Sequence, residues 1–366
     1  MKSKTMLAMA AFLAITVASC SKNEVSTITD SPISFHPNAL ETKALILPSG
    51  NSPEQAAFPT NESFNVFAFA DLDGAGTSYS MDYASPLMND VNISNVGGDW
   101  KATSGKYLWP AAGTCDFYAY YPASVAASFD TDVPAGISLS GVDLGSIVGN
   151  QSDPMVATTL SQVSSSKPMV NLVFKHISSQ IAVTVFDATT NTELTGYIRL
   201  KEVHFKNMKT TGDYREGAMV GKGTWSNIAG STDILLFQGN ESVDTAEKYL
   251  AVNTFADVIG NESAFVVVPE PVVAAGSVQS LEVTYSIDAF SLNGFNYPAS
   301  PEKTVSVPLY GRISGNTLMP GKRYVFHIGI SLDGADNEIS FTPLVDGWET
   351  EDITGILIDA VTAAEI

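Results

Sequence analysis

Apolar and polar residues alternate along many short stretches of this chain. In LEVTYSID, residues 281–288, four apolar side chains alternate with four polar ones, and RYVFHIGI, residues 323–330, follows the same period of two. Successive side chains of a strand point to opposite faces, so each stretch predicts a β-strand with one buried face. Further predicted strands, rich in aromatic or β-branched residues, are FNVFAFA, CDFYAYYP, NLVFKHISSQIAVTVF, YIRLKEVHF, FVVVP and EISFTPL.

Turn-forming residues separate these stretches. The chain has 28 glycines and 18 prolines, and they interrupt almost every window long enough for a stable helix. LDGADNE, between Ile330 and Ile339, is typical of a hairpin connection because Asp and Gly adopt tight-turn conformations readily. Short strands separated by turns predict an all-β fold built from antiparallel sandwiches.

The length and composition allow two domains. The chain has 366 residues, of which 45% are hydrophobic, enough for two ordinary cores. A serine run and a proline in SSSKPMVN, residues 164–171, separate two strand-rich halves. We therefore predict an N-terminal β-sandwich over residues 44–168 and a C-terminal β-sandwich over residues 169–366.

The first residues have the pattern of a bacterial export signal. Two lysines precede an apolar stretch at residues 6–17, which is shorter than the roughly 20 residues of a membrane-spanning helix. VASC, residues 17–20, resembles the lipobox of bacterial lipoproteins, whose cysteine is acylated. We predict a signal peptide over residues 1–19 and a lipid on Cys20 that holds the protein to a membrane. A cysteine that merely follows an ordinary cleavage site is the alternative.

The net charge limits the classes of partner. The formal net charge is −20, which argues against nucleic acid as a partner, because nucleic acid binds to a basic protein face.

The cysteine content excludes an internal disulfide. Once Cys20 carries lipid, Cys115 is the only other cysteine, so no intramolecular disulfide can form. Stability must therefore come from packing.

The stretch FAFADLDGAG contains the acidic residues that could carry chemistry. Asp71-Leu72-Asp73-Gly74 resembles the first motif of haloacid-dehalogenase-like phosphatases, but that fold needs a parallel sheet wrapped by helices. On a calcium-loop template, Asp71, Asp73, Gly76 and Asp82 take the first, third, sixth and twelfth positions, which gives a weak calcium candidate. We favour a solvated turn or loop over both the phosphatase motif and the calcium site. We predict no metal centre and no cofactor.

Other residues that often carry chemistry have simpler interpretations here. The four histidines are scattered, without zinc-ligand spacing, and each lies in or beside a predicted strand. The sequence has no nucleophile elbow, phosphate-binding loop or CxxC pair, so we predict no catalytic residues. The aromatic residues of YLWPAAGTCDFYAYYPAS could form a sugar-stacking platform, but their alternation favours a buried sheet face.

The order of several segments resembles one protein family. After the lipobox come ISFHPNALETKA, FNVFAFA, KYLWPAAGTCDFYAYYP, NLVFKHISSQIAVTV, LMPGKRYVFHIGI and ISFTPLVDGWE. Together they resemble the fimbrillins, the subunits of type V pili of Gram-negative gut and oral bacteria. The resemblance implies two transthyretin-like β-sandwich domains in tandem, export as a lipoprotein, and polymerisation at the cell surface after proteolysis.

In that family, a trypsin-like protease removes the first strand, and a C-terminal strand from another subunit fills the open groove. Here the removed strand would contain Ile33 and Phe35. Lys43-Ala44 is the one plausible cut that removes it, so residues 20–43 would form a propeptide. The family usually has arginine at this position. An uncut chain would stay anchored by its lipid.

The end of the chain is apolar enough to be the donor of that strand. The candidate donor residues lie within ETEDITGILIDAVTAAEI and are Ile353, Ile356, Leu357, Ile358 and Val361. The alternative is an ordinary last strand of the C-terminal domain, because both registers present apolar side chains.

The predicted function is therefore that of a structural type V pilus subunit that contributes to adhesion and has no active site. Its predicted partners are other pilin subunits, alike or accessory, the outer membrane through the lipid, and a receptor on a host or bacterial surface. The alternatives are a base or tip subunit of the pilus, and a lipid-anchored surface protein, such as a glycan binder, that never polymerises.

Overall fold

The computed structural model describes residues 31–39, 56–71, 81–132, 134–145, 151–239, 250, 256–257, 265–332 and 349–359. These residues form strands and two short 3₁₀ turns, at Ser164–Ser166 and Ser314–Asn316. The all-β prediction is confirmed. Within the same ranges, no helix has the length and apolar character to cross a membrane.

The strands are numbered in chain order. The first ten are β1 Phe35–Ala39, β2 Ala56–Ala57, β3 Ser63–Asp71, β4 Met88–Val96, β5 Asp99–Ala102, β6 Thr114–Tyr121, β7 Ala126–Asp130, β8 Gly136–Asp143, β9 Met155–Val163 and β10 Val170–His176. The others are β11 Ser179–Asp187, β12 Ile198–Arg215, β13 Thr224–Gln238, β14 Ala256–Asp257, β15 Phe265–Val267, β16 Ser280–Ile287, β17 Phe290–Leu292, β18 Phe295–Tyr297, β19 Lys303–Pro308, β20 Lys322–Ser331 and β21 Glu349–Asp359.

Most of the predicted strands are present. FNVFAFA, CDFYAYYP, YIRLKEVHF, FVVVP, LEVTYSID and RYVFHIGI correspond to β3, β6, β12, β15, β16 and β20. NLVFKHISSQIAVTVF forms two strands, β10 and β11, that belong to different sheets. EISFTPL and the predicted LDGADNE hairpin, apart from Leu332, lie outside the described residues.

The first sheet closes on itself. Its strands are ordered β10-β9-β6-β3-β4-β5-β1-β2, and β1 also pairs with β10. Seven strands therefore form a barrel, with β2 beside the closing strand. The interior is packed with apolar side chains, Phe64, Phe117 and Phe174 among them, each fully buried. Closure removes the open edges that β5 and β10 would otherwise present.

The second half of the chain forms two further sheets that share one core. The six-stranded sheet has the order β19-β16-β12-β8-β7, with β13 on β12, and the five-stranded sheet has the order β14-β11-β20-β21, with β15 on β11. Buried side chains of both sheets form a single cluster, in which the rings of Phe205 and Phe326 meet edge to face at 5.7 Å. This arrangement is that of a β-sandwich.

Two strands of the first half belong to a sheet of the second half. β7 and β8 follow β6 of the barrel in the chain, yet they pair with each other and, through β8, with β12 of the second half. A third apolar cluster lies at this junction, with Phe67 and Tyr118 from the barrel beside Leu139 and Tyr214. The predicted boundary near residue 168 and the assignment to tandem transthyretin-like domains stay predictions.

The strand pairing differs from the antiparallel expectation at three places. β1 runs parallel to β10, β11 to β20, and β20 to β21. Parallel neighbours cannot be joined by a tight hairpin and must come from distant parts of the chain. A local pattern of alternation reports a strand's buried face but not its partner, so this feature was not predictable from the pattern.

Candidate functional site

The segment that the sequence marks as removable is built into the wall of the barrel. Ile33 is 4% exposed and Phe35 is 2% exposed. Phe35 meets Phe64 at 6.2 Å and Phe117 at 5.9 Å, both edge to face. Burying two such side chains contributes about 1.5–3 kcal/mol each. The segment is therefore part of the barrel core.

Backbone hydrogen bonds tie this segment to both sides of the barrel seam. The Ile33 N–H donates to the carbonyl of Tyr107 at 3.0 Å, and the Val170 N–H donates to the carbonyl of Ser34 at 2.9 Å. β1 pairs with β10 over its whole length but with β5 only where Phe35 lies opposite Trp100. Pro37 in the middle of β1 has no N–H to donate, which weakens the strand's hold. On its β5 side β1 also pairs with β2, at Asn38 and Ala39. The strand therefore closes the barrel through one continuous pairing with β10 and a divided pairing with β5 and β2.

An aromatic cluster surrounds the position that β1 occupies. Phe58 meets Phe64, Trp100 and Phe174 with ring centroids 5.5, 5.5 and 5.0 Å apart. Phe64 also contacts Trp100 and Phe174. Such pairs stabilise a core by about 0.5–1.5 kcal/mol each beyond area burial. A groove vacated by β1 would expose part of this cluster.

The covalent processing residues lie outside the described part of the chain. Cys20, Lys43 and Ala44 are among the residues of which the structure gives no description. Lys43 follows Ala39, the last residue of β1, by four positions, so the predicted cut falls just after the closing strand. Lipidation and cleavage stay predictions.

The candidate donor segment forms β21 in the five-stranded sheet. β21 runs parallel to β20, with Phe326 opposite Ile353, Ile328 opposite Ile356, and Ile330 opposite Ile358. A register shift lies between the first two of these pairs. Leu357 lies opposite Gly329, and Val361 is outside the described residues. Within one chain the segment thus has a place of its own at a sheet edge.

The acidic residues of the calcium template are only partly described. Asp71 is fully buried at the end of β3, Asp82 is exposed, and Asp73 and Gly76 lie outside the described residues. The Asp82 carboxylate accepts a hydrogen bond from the N–H of Ala84 at 3.1 Å. In the ranges that the structure describes, no three His, Cys, Asp or Glu residues are grouped as metal ligands. The calcium candidate stays a prediction.

Asp71 lies beside a second buried carboxyl. Burial raises the pKa of Asp116, and the charge of Asp71 raises it further, against a hydrogen bond from the Ser161 N–H. Asp71 ends β3 and Asp116 lies on the neighbouring strand β6. Two carboxyls on adjacent barrel strands do not match the helical setting of a phosphatase.

Histidines and aromatic residues have the structural places that were predicted. All four histidines lie on strands. His176, His204 and His327 contact Asp153, Glu202 and Thr184 respectively. Trp109, Phe117, Tyr118 and Tyr120 are all under 5% exposed, so the core interpretation of that aromatic stretch is confirmed.

Two aromatic residues that surround the position of β1 were not predicted from the sequence. Phe58 belongs to no strand, and Trp100 lies in a four-residue strand, so neither had enough alternation around it to show a buried face. Their aromatic character was the only available signal, because Phe and Trp are on average among the most buried residue types.

Comparisons with known proteins agree with the resemblance. A family model described as fimbrillin-like matches residues 50–348. No curated protein matches the chain.

Two solved structures are similar over most of their length. A fimbrial protein from Bacteroides vulgatus superposes with a TM-score of 0.54 at 14% identity, over 82% of this chain and 95% of that one. A candidate cell adhesion protein from Bacteroides uniformis superposes with a TM-score of 0.45 at 16% identity, over 83% and 94% of the two chains. At such identity the first likeness shows a shared fold.

Proposed function

The chain belongs to the fimbrillin-like family, and from this premise we propose that it is a type V pilus subunit that matures by proteolysis and polymerises by donor-strand exchange. It would be exported as a lipoprotein on Cys20, cut between Lys43 and Ala44, and assembled at the cell surface. The proposed role is structural, with adhesion as its result and no catalytic step.

The observation that carries the proposal is the position of β1. It is the strand that completes the barrel, with Phe35 in the core, and a cut after Lys43 would separate it from the rest of the chain. Loss of β1 would leave two unpaired strand edges and exposed aromatic side chains. Such an edge binds an added strand readily, through backbone hydrogen bonds and pockets for alternate side chains.

The vacated groove favours one orientation of the incoming strand. β1 runs parallel to β10 over five residue pairs. A strand that reproduces those hydrogen bonds must also run parallel to β10, and it needs apolar side chains where Ile33 and Phe35 lie. The apolar C-terminal segment that includes Ile356 and Ile358 is the proposed donor.

Donation requires that β21 leave its own sheet. β21 is the last strand in its sheet order and pairs only with β20 among the described strands. Its release costs the hydrogen bonds of that one edge, and docking in another subunit restores a similar number. The exchange therefore gains free energy mainly from closing the open barrel and burying its aromatic cluster.

The test is limited trypsin digestion of the secreted protein, followed by N-terminal mass analysis and electron microscopy. We expect a new N-terminus at Ala44 and ordered fibres that depend on the cut. The matched control is Lys43→Ala, which should keep residues 31–39 in place and give monomers. Fibres from uncut Lys43→Ala protein would contradict the proposal.

A second variant tests the donor. Ile356→Asp places a charge in the segment, so the cut protein should remain monomeric while it still binds a peptide of residues 349–366 from the original sequence. Cut protein that neither assembles nor binds this peptide would support the lipid-anchored surface protein instead.

The finer fold assignment belongs to the same proposal. We propose two transthyretin-like domains, over residues 44–168 and 169–366, that exchange strands across their boundary. The support is the shared fold with a fimbrial protein and the separate apolar clusters of the barrel and the sandwich.

A further inference from the structure

A cleft of about 470 Å³ lies between the outer face of the barrel and two loops of the six-stranded sheet. This volume is in the range of about 300–1,000 Å³ that small-ligand sites occupy. One side is lined by Tyr83 and by residues of β6 and β9, and the other by the β7–β8 turn and the β12–β13 loop. The described lining residues are Tyr83, Tyr118, Thr131, Pro134, Ala135, Thr158, Leu160, Glu216, Gly217, Ala218 and Val220.

One wall of the cleft carries a buried carboxylate. Glu216 is 3% exposed, and its two oxygens accept hydrogen bonds from the Gly221 N–H at 3.0 Å and the Tyr214 hydroxyl at 3.2 Å. Each carboxylate oxygen can accept a further donor. The carboxylate thus keeps the capacity to bind a ligand.

The opposite wall has a second source of negative charge. Asp116 and Tyr118 are two residues apart on β6 and therefore share a face. Asp116 is fully buried, its Oδ1 accepts the Ser161 N–H at 2.7 Å, and its Oδ2 has no hydrogen-bond partner among the described residues. Burial raises the pKa of Tyr118, and the charge of Asp116 raises it further. The tyrosine wall thus lies in a negative potential.

Positive charge is missing from the lining. Among the described residues that line the cleft, none is Lys, Arg or His. Arg215, the basic residue that precedes Glu216 in the chain, is neutralised by Asp130 at 2.6 Å and also donates to the carbonyls of Asp132 and Pro134. An anionic ligand is therefore disfavoured, and a cation is favoured.

The rest of the lining suits the stem of a cationic side chain. Leu160, Val220 and Ala135 supply apolar surface beside the carboxylate, and Leu160 is 47% exposed. Tyrosine rings attract a cation through their electron-rich faces, by about 0.5–2 kcal/mol depending on how fully it is desolvated. We propose that this cleft binds a primary ammonium or guanidinium group on an aliphatic stem, as in a lysine or arginine side chain. This assignment does not depend on the proposed pilus role.

The test is calorimetric titration of the full chain at low salt and at a pH above 8, where Glu216 is ionised. The probes are Nα-acetyl-lysine-N-methylamide, its neutral analogue Nα-acetyl-norleucine-N-methylamide, and n-pentylamine. We expect saturable binding of the lysine probe and none of the norleucine probe. If n-pentylamine binds as tightly as the lysine probe, the alkyl ammonium group alone is sufficient for binding. If it binds clearly more weakly, the preferred ligand is a lysine side chain within a peptide. Either result supports the cation site.

Three variants decide whether the cleft is responsible. Glu216→Gln keeps the side-chain shape and should weaken lysine binding at least about tenfold. Asp132→Asn makes the same chemical change on an exposed neighbour outside the lining and should leave affinity within about twofold. Tyr83→Leu removes a half-buried ring from the opposite wall, should also weaken binding, and serves if Glu216→Gln fails to fold.

Four results would overturn the proposal. They are no saturable binding of the lysine probe, equal binding of the norleucine probe, unchanged affinity in folded Glu216→Gln and in Tyr83→Leu, and an equal loss in Asp132→Asn. An equal loss of affinity in Asp132→Asn would show that the lysine probe responds only to the general negative charge of the protein.

Discussion

Phe35 contacts two barrel strands at once, because its ring meets Phe64 of β3 and Phe117 of β6. A single side chain therefore couples the closing strand to the barrel core. Proteolysis after Lys43 would take this side chain out of the core together with its backbone.

Phe35→Ala should lower the unfolding free energy of the uncut chain by about 3–5 kcal/mol, because it leaves a cavity in a packed core. Chemical denaturation followed by near-ultraviolet circular dichroism measures the loss. The matched control is Phe295→Ala, the same change at a ring that is 71% exposed, which should stay within about 0.5 kcal/mol of the original. Equal losses in the two variants would show that the Phe35 position is not part of the core.

Glu216 gives a pH-dependent term in stability. Burial raises its pKa from 4.5 to about 7, against hydrogen bonds from Gly221 and Tyr214. In this pH window the folded chain keeps a proton that the unfolded chain has lost. Stability should therefore fall as the pH rises from about 4.5 to about 7, and stay lowered above it.

The comparison of the original protein with Glu216→Gln isolates that term. The original should lose about 1–3 kcal/mol more than the variant between about pH 5 and pH 8. Asp116 also has a raised pKa, but it is present in both proteins and cancels. Parallel stability curves for the two proteins would refute the assignment.

At the level of elements, β1 pairs continuously with β10 on one side, whereas its other side is divided between one pair with β5 and two pairs with β2. This asymmetry follows from its composition, since Pro37 can donate no hydrogen bond. A strand with a proline and one divided edge is easier to replace than a central strand, although its apolar side chains fix where it packs.

A chain that begins at Ala44 should expose the β10 edge. The Val170 amide, which donates to Ser34 in the uncut protein, should exchange with solvent faster once β1 is absent. A synthetic peptide of residues 31–43 should restore slow exchange. The amide of Val283 in β16 is the internal control, and equal protection of Val170 with and without β1 would contradict the groove.

At the level of the whole molecule, Phe129 links the two halves. It lies on β7, which belongs to the same six-stranded sheet as β12 of the second half. Its ring meets Phe69 at 4.3 Å and Tyr118 at 4.8 Å on the outer face of the barrel. Because β7 and β8 join the six-stranded sheet, the ring of Phe129 connects that sheet to the barrel.

Phe129→Ala should uncouple barrel and sandwich. We expect a loss of about 1–3 kcal/mol, since the ring is half-buried, and a calorimetric transition that broadens or divides into two. Differential scanning calorimetry measures both, with Phe295→Ala as the control. A single sharp transition at the original Tm would show that the halves are coupled elsewhere.

Several features of this protein could be read from residues alone. Alternation predicted β16 and β20, because a strand half-buried in any sheet must carry its apolar side chains two apart. Aromatic and β-branched content predicted β3, β6 and β12. The aromatic stretch around Phe117 was assigned to the core because of its alternation. The order of segments was enough to indicate the family, which the match over residues 50–348 then showed.

Other features depend on contacts between residues distant in the chain, which no local pattern records. The partners of a strand, parallel or antiparallel, are set by how whole faces pack. The sequence, through its family resemblance, placed Phe35 in the first strand, but only the tertiary structure decided that Phe35 is buried and that β1 closes a barrel against β10. The cleft beside Glu216 arises likewise, because a glutamate in a loop gains its buried, high-pKa character only where two sheets meet around it.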